Sequence, residues 1–323
     1  MKHPNKTLRR VLLAAVLAVS FCAQALALPA YLIPGGNAVG VRLNAPGLVI
    51  TGLEDGAAAQ TAGLRCGDLI TKCAGSPVRS AQALSQRLQS GEAVVLQVQR
   101  GGQAAEFLVQ PVRSGTRWQL GAQVRDHISG IGTVTFYDPA DGTFGALGHG
   151  VSGFTDARLL EIASGSLIGA SVADVSRGAA GAPGELHGTF DPGKTLGSVT
   201  ANTRCGLFGT AAELPQHTAL PVAAQEQVHT GAATILANVQ GETVEEFSIR
   251  IEKLYPGAQN GRDLLLRIDD EALLKQTGGI VQGMSGSPIL QDGRIVGAVT
   301  HVLVSDPERG YGIFIENMLE AVD

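Results

Sequence analysis

Gly279-Ile280-Val281-Gln282-Gly283-Met284-Ser285-Gly286-Ser287-Pro288-Ile289-Leu290 is the stretch on which the reading of this chain turns. It is a glycine-rich turn running into Pro288 and then into apolar residues, so a tight bend that delivers a strand is expected. A further strand, Ile295-Val296-Gly297-Ala298-Val299, follows it. A serine hydroxyl is a poor nucleophile at neutral pH and needs an adjacent base, with N–H donors aimed at the oxyanion that forms on attack. Glycines on both sides of Ser285 leave the backbone free to supply those donors. An ordinary loop turn is the alternative, because Gly and Ser punctuate loops of every kind.

Working outward, the apolar strand Leu264-Leu265-Leu266-Arg267-Ile268 ends at Asp269 and Asp270, followed by a short helical run from Glu271 to Gln276 and closed by Gly278. Either aspartate can cap that helix, and either can hold an imidazole in one tautomer. Asp126 and Asp174 are the spare carboxylates. The imidazole candidate lies far upstream. Thr133-Val134-Thr135-Phe136-Tyr137, the turn Asp138-Pro139-Ala140-Asp141-Gly142, and Thr143-Phe144-Gly145-Ala146-Leu147 predict a hairpin that presents Gly148-His149-Gly150. Flanking glycines let a substrate backbone approach an imidazole able to take and return a proton. Gly148, Gly150 and Gly153 also satisfy a dinucleotide-binding spacing. The following stretch lacks the strand–helix–strand rhythm which that fold requires. Around Ser285, G-x-S-G-x-P resembles the nucleophile turn of chymotrypsin-like peptidases, which implies an oxyanion hole from the N–H groups of Gly283 and Ser285. The elbow of α/β-hydrolases does not fit, since Ser287 stands where its last glycine belongs.

Residues 38–112 have the order of a small mixed domain. Leu48-Val49-Ile50 and Leu69-Ile70 read as strands, and Ser80 can cap a helix through Leu84 and Leu88 that Gly91 ends. Leu96-Gln97-Val98-Gln99, Gly101-Gly102 and Phe107-Leu108-Val109 predict a hairpin. Ala62-Gly63-Leu64-Arg65-Cys66-Gly67-Asp68-Leu69-Ile70 resembles the AGLxxGDxI segment of bacterial PDZ domains. Gly40-Val41-Arg42-Leu43 resembles their carboxylate-binding loop, which implies capture of a peptide as an added strand.

The 323 residues, at about one domain per 150, leave room for two domains. With 44% hydrophobic and 16% charged residues, 43 Gly and 14 Pro, the chain suits short strands and many turns rather than a helical bundle or a disordered tail. From Trp118 onward that pattern predicts a sandwich or barrel. A net charge of −5 with no basic block past residue 10 excludes a nucleic-acid binder. Lys2, Lys6, Arg9 and Arg10, the apolar run Val11 to Ala23 and Ala25-Leu26-Ala27 read as an export segment, cleaved after Ala27 or retained as an anchor. Phe21 before Cys22 is too bulky for lipoprotein processing. Cys66, Cys73 and Cys205 have spacing that supports neither a disulfide framework nor a zinc site, and neither metal nor cofactor is expected.

GIGTVTFYDP, FGALGHGVS, ATIL, TGGIVQGMSGSPILQDG and AVTHVLVSDPERGYGIFIENML, in that order after a PDZ-like segment, resemble the SpoIVB peptidases of spore-forming bacteria from about Leu32 to Leu319. The resemblance implies a mainly β chain. Residues 1–27 would be a signal peptide or anchor, 28–37 a linker, 38–112 a PDZ domain, and 113–323 a chymotrypsin-like double β-barrel. It implies His149 as general base, Ser285 as nucleophile, Asp270 rather than Asp269 as orienting acid, and Thr300 as substrate wall or support. It further implies a serine endopeptidase acting outside the cytoplasm, between forespore and mother-cell membranes. There it would cleave a membrane-associated regulator so that a sigma factor is processed, cut itself near its N-terminus, and use its PDZ on its own chain or the target. Two departures, Glu271 where the family often has Pro and Gly153-Phe154-Thr155 where it has acidic residues, bear on cleavage preference. The rival reading is a non-catalytic PDZ docking protein of the cell envelope.

Overall fold

The computed structural model describes residues 29–153, 158–258 and 260–322. The expected export segment, residues 1–27, lies outside them. From Tyr31 onward the described chain is one compact unit. Among its helices none is long and apolar enough to cross a membrane.

Two closed rings of six strands form the body. In the first, the hairpin strands Ala122–Tyr137 and Thr143–Ala146 pair antiparallel, and Thr143–Ala146 pairs onward with Gly206–Ala211. That strand pairs with Glu185–Thr203, which pairs with Ser164–Ser176. Ser164–Ser176 pairs with Ala38–Leu53, which returns to Ala122–Tyr137 and closes the ring. The second is a closed barrel of Gly231–Gln240, Thr243–Leu254, Leu264–Ile268, Arg309–Phe314, Arg294–Val302 and Pro288–Gln291. Period-2 burial appears where one face is wet, as in Leu264–Ile268, and the mostly apolar stretch Val134 to Tyr137 is buried on both faces. The mainly β expectation, a PDZ module with a double barrel, holds. The strands are longer than the turn-rich composition suggests, up to the 19 residues of Glu185–Thr203.

Several expected boundaries are corrected. Ala38–Leu53 is one strand shared by two modules: its first half lies in the first barrel, and Leu48 and Val49 pair with Ile70 and Leu69 of the PDZ-like module. The chain comes back through Ala122–Arg125, which pairs with Val49–Leu53. The PDZ-like module is therefore inserted between the first two strands of the first barrel rather than placed ahead of it. Residues 28–37 are no plain linker either, because Tyr31–Pro34 is a strand paired with Tyr137 and Phe136 on one side and with Pro221 and Leu220 on the other. Gly40-Val41-Arg42-Leu43 forms no PDZ loop. Each of the four is paired on both edges, to Ile131–Ile128 and to Ile168–Gly165, so no edge remains for a peptide.

Inside the inserted module the sequence-level reading of single elements is accurate. Ser80 accepts the Ala83 N–H at 3.1 Å and starts the helix Ala81–Arg87. Val94–Arg100 and Gln103–Val109 form the expected hairpin. Asp68, 1% exposed, binds Arg100 through both carboxylate oxygens at 2.7 Å and also accepts the Arg65 N–H at 2.8 Å. It thereby ties the turn before Leu69 to the hairpin. Removing a buried carboxylate strands its partner, and the part-exposed Arg100 can recover water, so Asp68→Ala should cost about 2 kcal/mol. Urea denaturation measures this, and an unchanged midpoint would refute the role given to Asp68.

Candidate active site

The turn that carries Ser285 is held from the first barrel. Thr133, 1% exposed, donates its N–H to the Ser285 carbonyl at 3.0 Å and its Oγ1–H to the Gly283 carbonyl at 2.7 Å. Its own carbonyl accepts the Leu147 N–H at 3.1 Å, two residues before His149. Gly286 sits against this crossing with φ of +100°, and a Cβ there would run into the Thr133 carbonyl oxygen and Leu147 N. That position therefore requires glycine on two grounds, backbone and space.

The N–H groups of the turn can be accounted for one by one. Gln282 N–H goes to Gly184, Met284 to Val281, Gly286 to Val299 and Ser287 to Met284, all at 2.8–3.1 Å. Among the described residues, the N–H groups of Gly283 and Ser285 donate to no protein group. Both residues line a cavity of about 270 Å³ with His149 and Leu147. Two unpaired donors on alternate residues beside a serine are what an oxyanion site needs.

His149 reaches that cavity through two successive left-handed residues, Leu147 at φ +69° and Gly148 at φ +66°. A bulky residue in that region is strained, and such strain is held by surrounding contacts. A Cβ on Gly148 would lie 2.9 Å from the Thr300 methyl, so the loop rests on the second barrel. The His149 Nδ1–H donates to the Gly150 carbonyl at 2.9 Å. Since a carbonyl only accepts, this bond leaves Nε2 with the lone pair. Burial pushes the His149 pKa below its usual value, and the Gly150 carbonyl opposes the shift. His301 packs against it with ring centroids 5.1 Å apart. Burial first, then the charges of His149 and Arg262, bring His301 down to about 4, so it is neutral at physiological pH.

The structure brings Ser285 and His149 to one cavity but not into a hydrogen bond. Ser285 Oγ–H donates to the Thr300 carbonyl at 2.8 Å. Catalytic bonds are commonly loose before substrate binds. Asp270 is not brought to His149. Its Oδ1 accepts the N–H groups of Ala272 and Leu273 at 3.0 Å and its Oδ2 that of Ser248 at 3.3 Å, so it caps the helix Glu271–Thr277. Asp269 pairs with Arg250 at 3.0 Å, and Asp126 binds the neighbouring His127 at 2.6 Å. Thr300 is no substrate wall, for its side chain is buried and donates to the Gly261 carbonyl at 2.8 Å. Val41 and Leu43, expected in a PDZ loop, line the Ser285 cavity instead. Sequence reasoning missed Thr133, which looks like any β-branched strand residue. It weighed His301 only through strand alternation, which a β-bulge between Val299 and His301 interrupts at Thr300.

Comparison with known proteins adds the family. The model described as SpoIVB peptidase S55 matches residues 116–319. The chain belongs to the SpoIVB peptidase family. It is a serine endopeptidase. A PDZ-domain model matches residues 49–100, inside the inserted module. Among solved structures, the Rv3671c protease from M. tuberculosis in its active form is 17% identical, covering 60% of this chain and 72% of that one, with a TM-score of 0.34. Its inactive form is 16% identical, covering 59% and 81%, with a TM-score of 0.35. A search of curated proteins gave no match.

Thr133→Val keeps shape but removes the hydroxyl that fixes the Gly283 carbonyl. Labelling of the peptidase by a fluorophosphonate should slow about tenfold or more while the fold persists, because sub-ångström misplacement of oxyanion donors is costly. An unchanged labelling rate would show that the Thr133 hydroxyl does not position the turn.

Proposed function

We propose that Ser285 is the nucleophile, His149 the general base, and the N–H groups of Gly283 and Ser285 the oxyanion hole. The observation that carries this reading is the pair of unpaired N–H groups in the cavity where the serine and the imidazole meet. On substrate binding, Ser285 Oγ turns from the Thr300 carbonyl toward His149 Nε2. The oxygen attacks the peptide carbonyl as Nε2 takes its proton, and the negative charge settles on an oxygen facing the two N–H groups. His149 then gives that proton to the leaving amine, and water clears the acyl-enzyme by the same route in reverse. The Gly150 carbonyl, bonded to Nδ1, holds the tautomer and eases the charge of the imidazolium.

The biological setting we infer is export followed by limited proteolysis of a membrane-associated regulator in sporulation signalling, with self-cleavage near the N-terminus. Family membership and the basic head and apolar run of residues 1–27 support it. The peptidase would act between the forespore and mother-cell membranes, and its PDZ module would engage the target or its own chain.

Ser285→Ala should abolish both fluorophosphonate labelling and self-cleavage, and labelling that survives would refute the nucleophile. Asp270→Ala should lose about 1 kcal/mol of stability, the usual cost of a lost N-cap, and keep labelling within a few-fold. A loss of roughly a thousandfold or more, the scale of a lost orienting carboxylate, would return Asp270 to the catalytic set. The pH profile follows from His149. The base must be neutral, and its pKa is lowered by burial, so kcat/KM should rise with pH to a plateau, with the midpoint of the rise below 6.5. A rising limb centred above 6.5 would contradict that assignment.

A further inference from the structure

His149 stands between two cavities. Opposite the apolar one that holds Ser285 lies a larger one, of about 610 Å³, whose walls include His149, Arg204, Asn260 and His301. No carboxylate of the described residues lines it. Arg204 is exposed at its rim and forms no ion pair with any described carboxylate. Arg262, exposed and stacked over Tyr311 at 5.2 Å, is close enough to His301 for its charge to be felt there, and it too has no ion pair among the described residues. The Arg204 guanidinium thus shares this cavity with the neutral rings of His149 and His301, with no acidic partner among the described residues. Guanidinium matches a carboxylate geometrically and binds it through parallel N–H bonds.

The path of a substrate leads past this cavity. Pairing of Arg294–Val302 with Pro288–Gln291 ends at Ala298 and Pro288. The nucleophile turn covers the next stretch, through Gly286 N–H to Val299, Val299 N–H to Ser287 and Ser285 Oγ to Thr300. Among the described residues that edge carries no partner strand beyond Thr300, while the other edge is paired as far as Val302 and Gly310. An extended peptide can add to such an edge. With its scissile carbonyl at the Gly283 and Ser285 N–H groups, its preceding residues run along His301 and Val302, beside the cationic cavity.

We propose that this cavity is the subsite for an acidic side chain, so that the peptidase selects Asp or Glu within the few residues preceding the bond it cuts. The inference rests on the catalytic reading of Ser285 and His149 and deepens it by naming the substrate's chemistry. The test uses the full chain on a reduced, alkylated protein, with cut sites read by mass spectrometry. Asp and Glu should be enriched several-fold at one of the four positions before the cut, an effect of the size expected for a charge-assisted contact at a part-exposed site. Arg204→Glu should erase that enrichment and favour Lys or Arg at the same position. Equal use of neutral and acidic residues, or enrichment unchanged in Arg204→Glu, would overturn this proposal alone. A wild-type chain making no cuts beyond those of Ser285→Ala would overturn the catalytic reading and this one with it.

Discussion

Three hydrogen bonds on one buried threonine set the geometry of this peptidase. Thr133 spends its N–H on Ser285, its hydroxyl on Gly283 and its carbonyl on Leu147, so the nucleophile turn of one barrel and the histidine loop of the other are referred to a single residue. Each bond is shielded from water, where an unmade partner is expensive, and this makes the crossing stiff. The Gly283 carbonyl matters most. Fixing it fixes the plane of the peptide that follows, and with it the local path into Ser285. Gly286 is the steric counterpart, an absence of side chain that lets the strand carrying Thr133 come this close.

His149, the base in the proposed mechanism, is held by backbone rather than by a carboxylate. The partner of Nδ1 is the carbonyl of the very next residue, and the ring stacked beside it is a second imidazole kept neutral by burial. A carbonyl supplies the right directionality and part of the charge stabilisation without the desolvation that a buried carboxylate would bring. The Ser285 hydroxyl rests on the Thr300 carbonyl rather than on His149.

Local chemistry was legible in the sequence because local rules governed it. The hairpin at 133–147, the Ser80 cap, the glycine end of the helix after Asp270 and the turn around Ser285 are all specified by residues close in sequence. What escaped were relations between distant segments. Nothing in Gly40-Val41-Arg42-Leu43 announces that Ser164–Ser176 will close over one of its edges and Ala122–Tyr137 over the other, so a strand read as a peptide loop. Asp270 illustrates the opposite difficulty. Its capping role was visible in the residues around it, and a motif match drew attention to catalysis instead. Thr133 could not have been found at all, since a threonine in a β-branched strand carries no mark of the two carbonyls 150 and 152 positions away that it will hold.

The inserted PDZ module meets the first barrel through two adjacent antiparallel strands, Ala38–Leu53 going out and Ala122–Tyr137 coming back. A domain hung on one tether can swivel freely and be clipped off by a single nick. This one is attached twice, and its two attachments are hydrogen-bonded to each other, so a nick in any of its loops leaves both fragments stitched into the barrel. The returning strand also continues, without interruption, from the module to Thr133. The inserted module and the Thr133 crossing are therefore mechanically joined by one length of backbone.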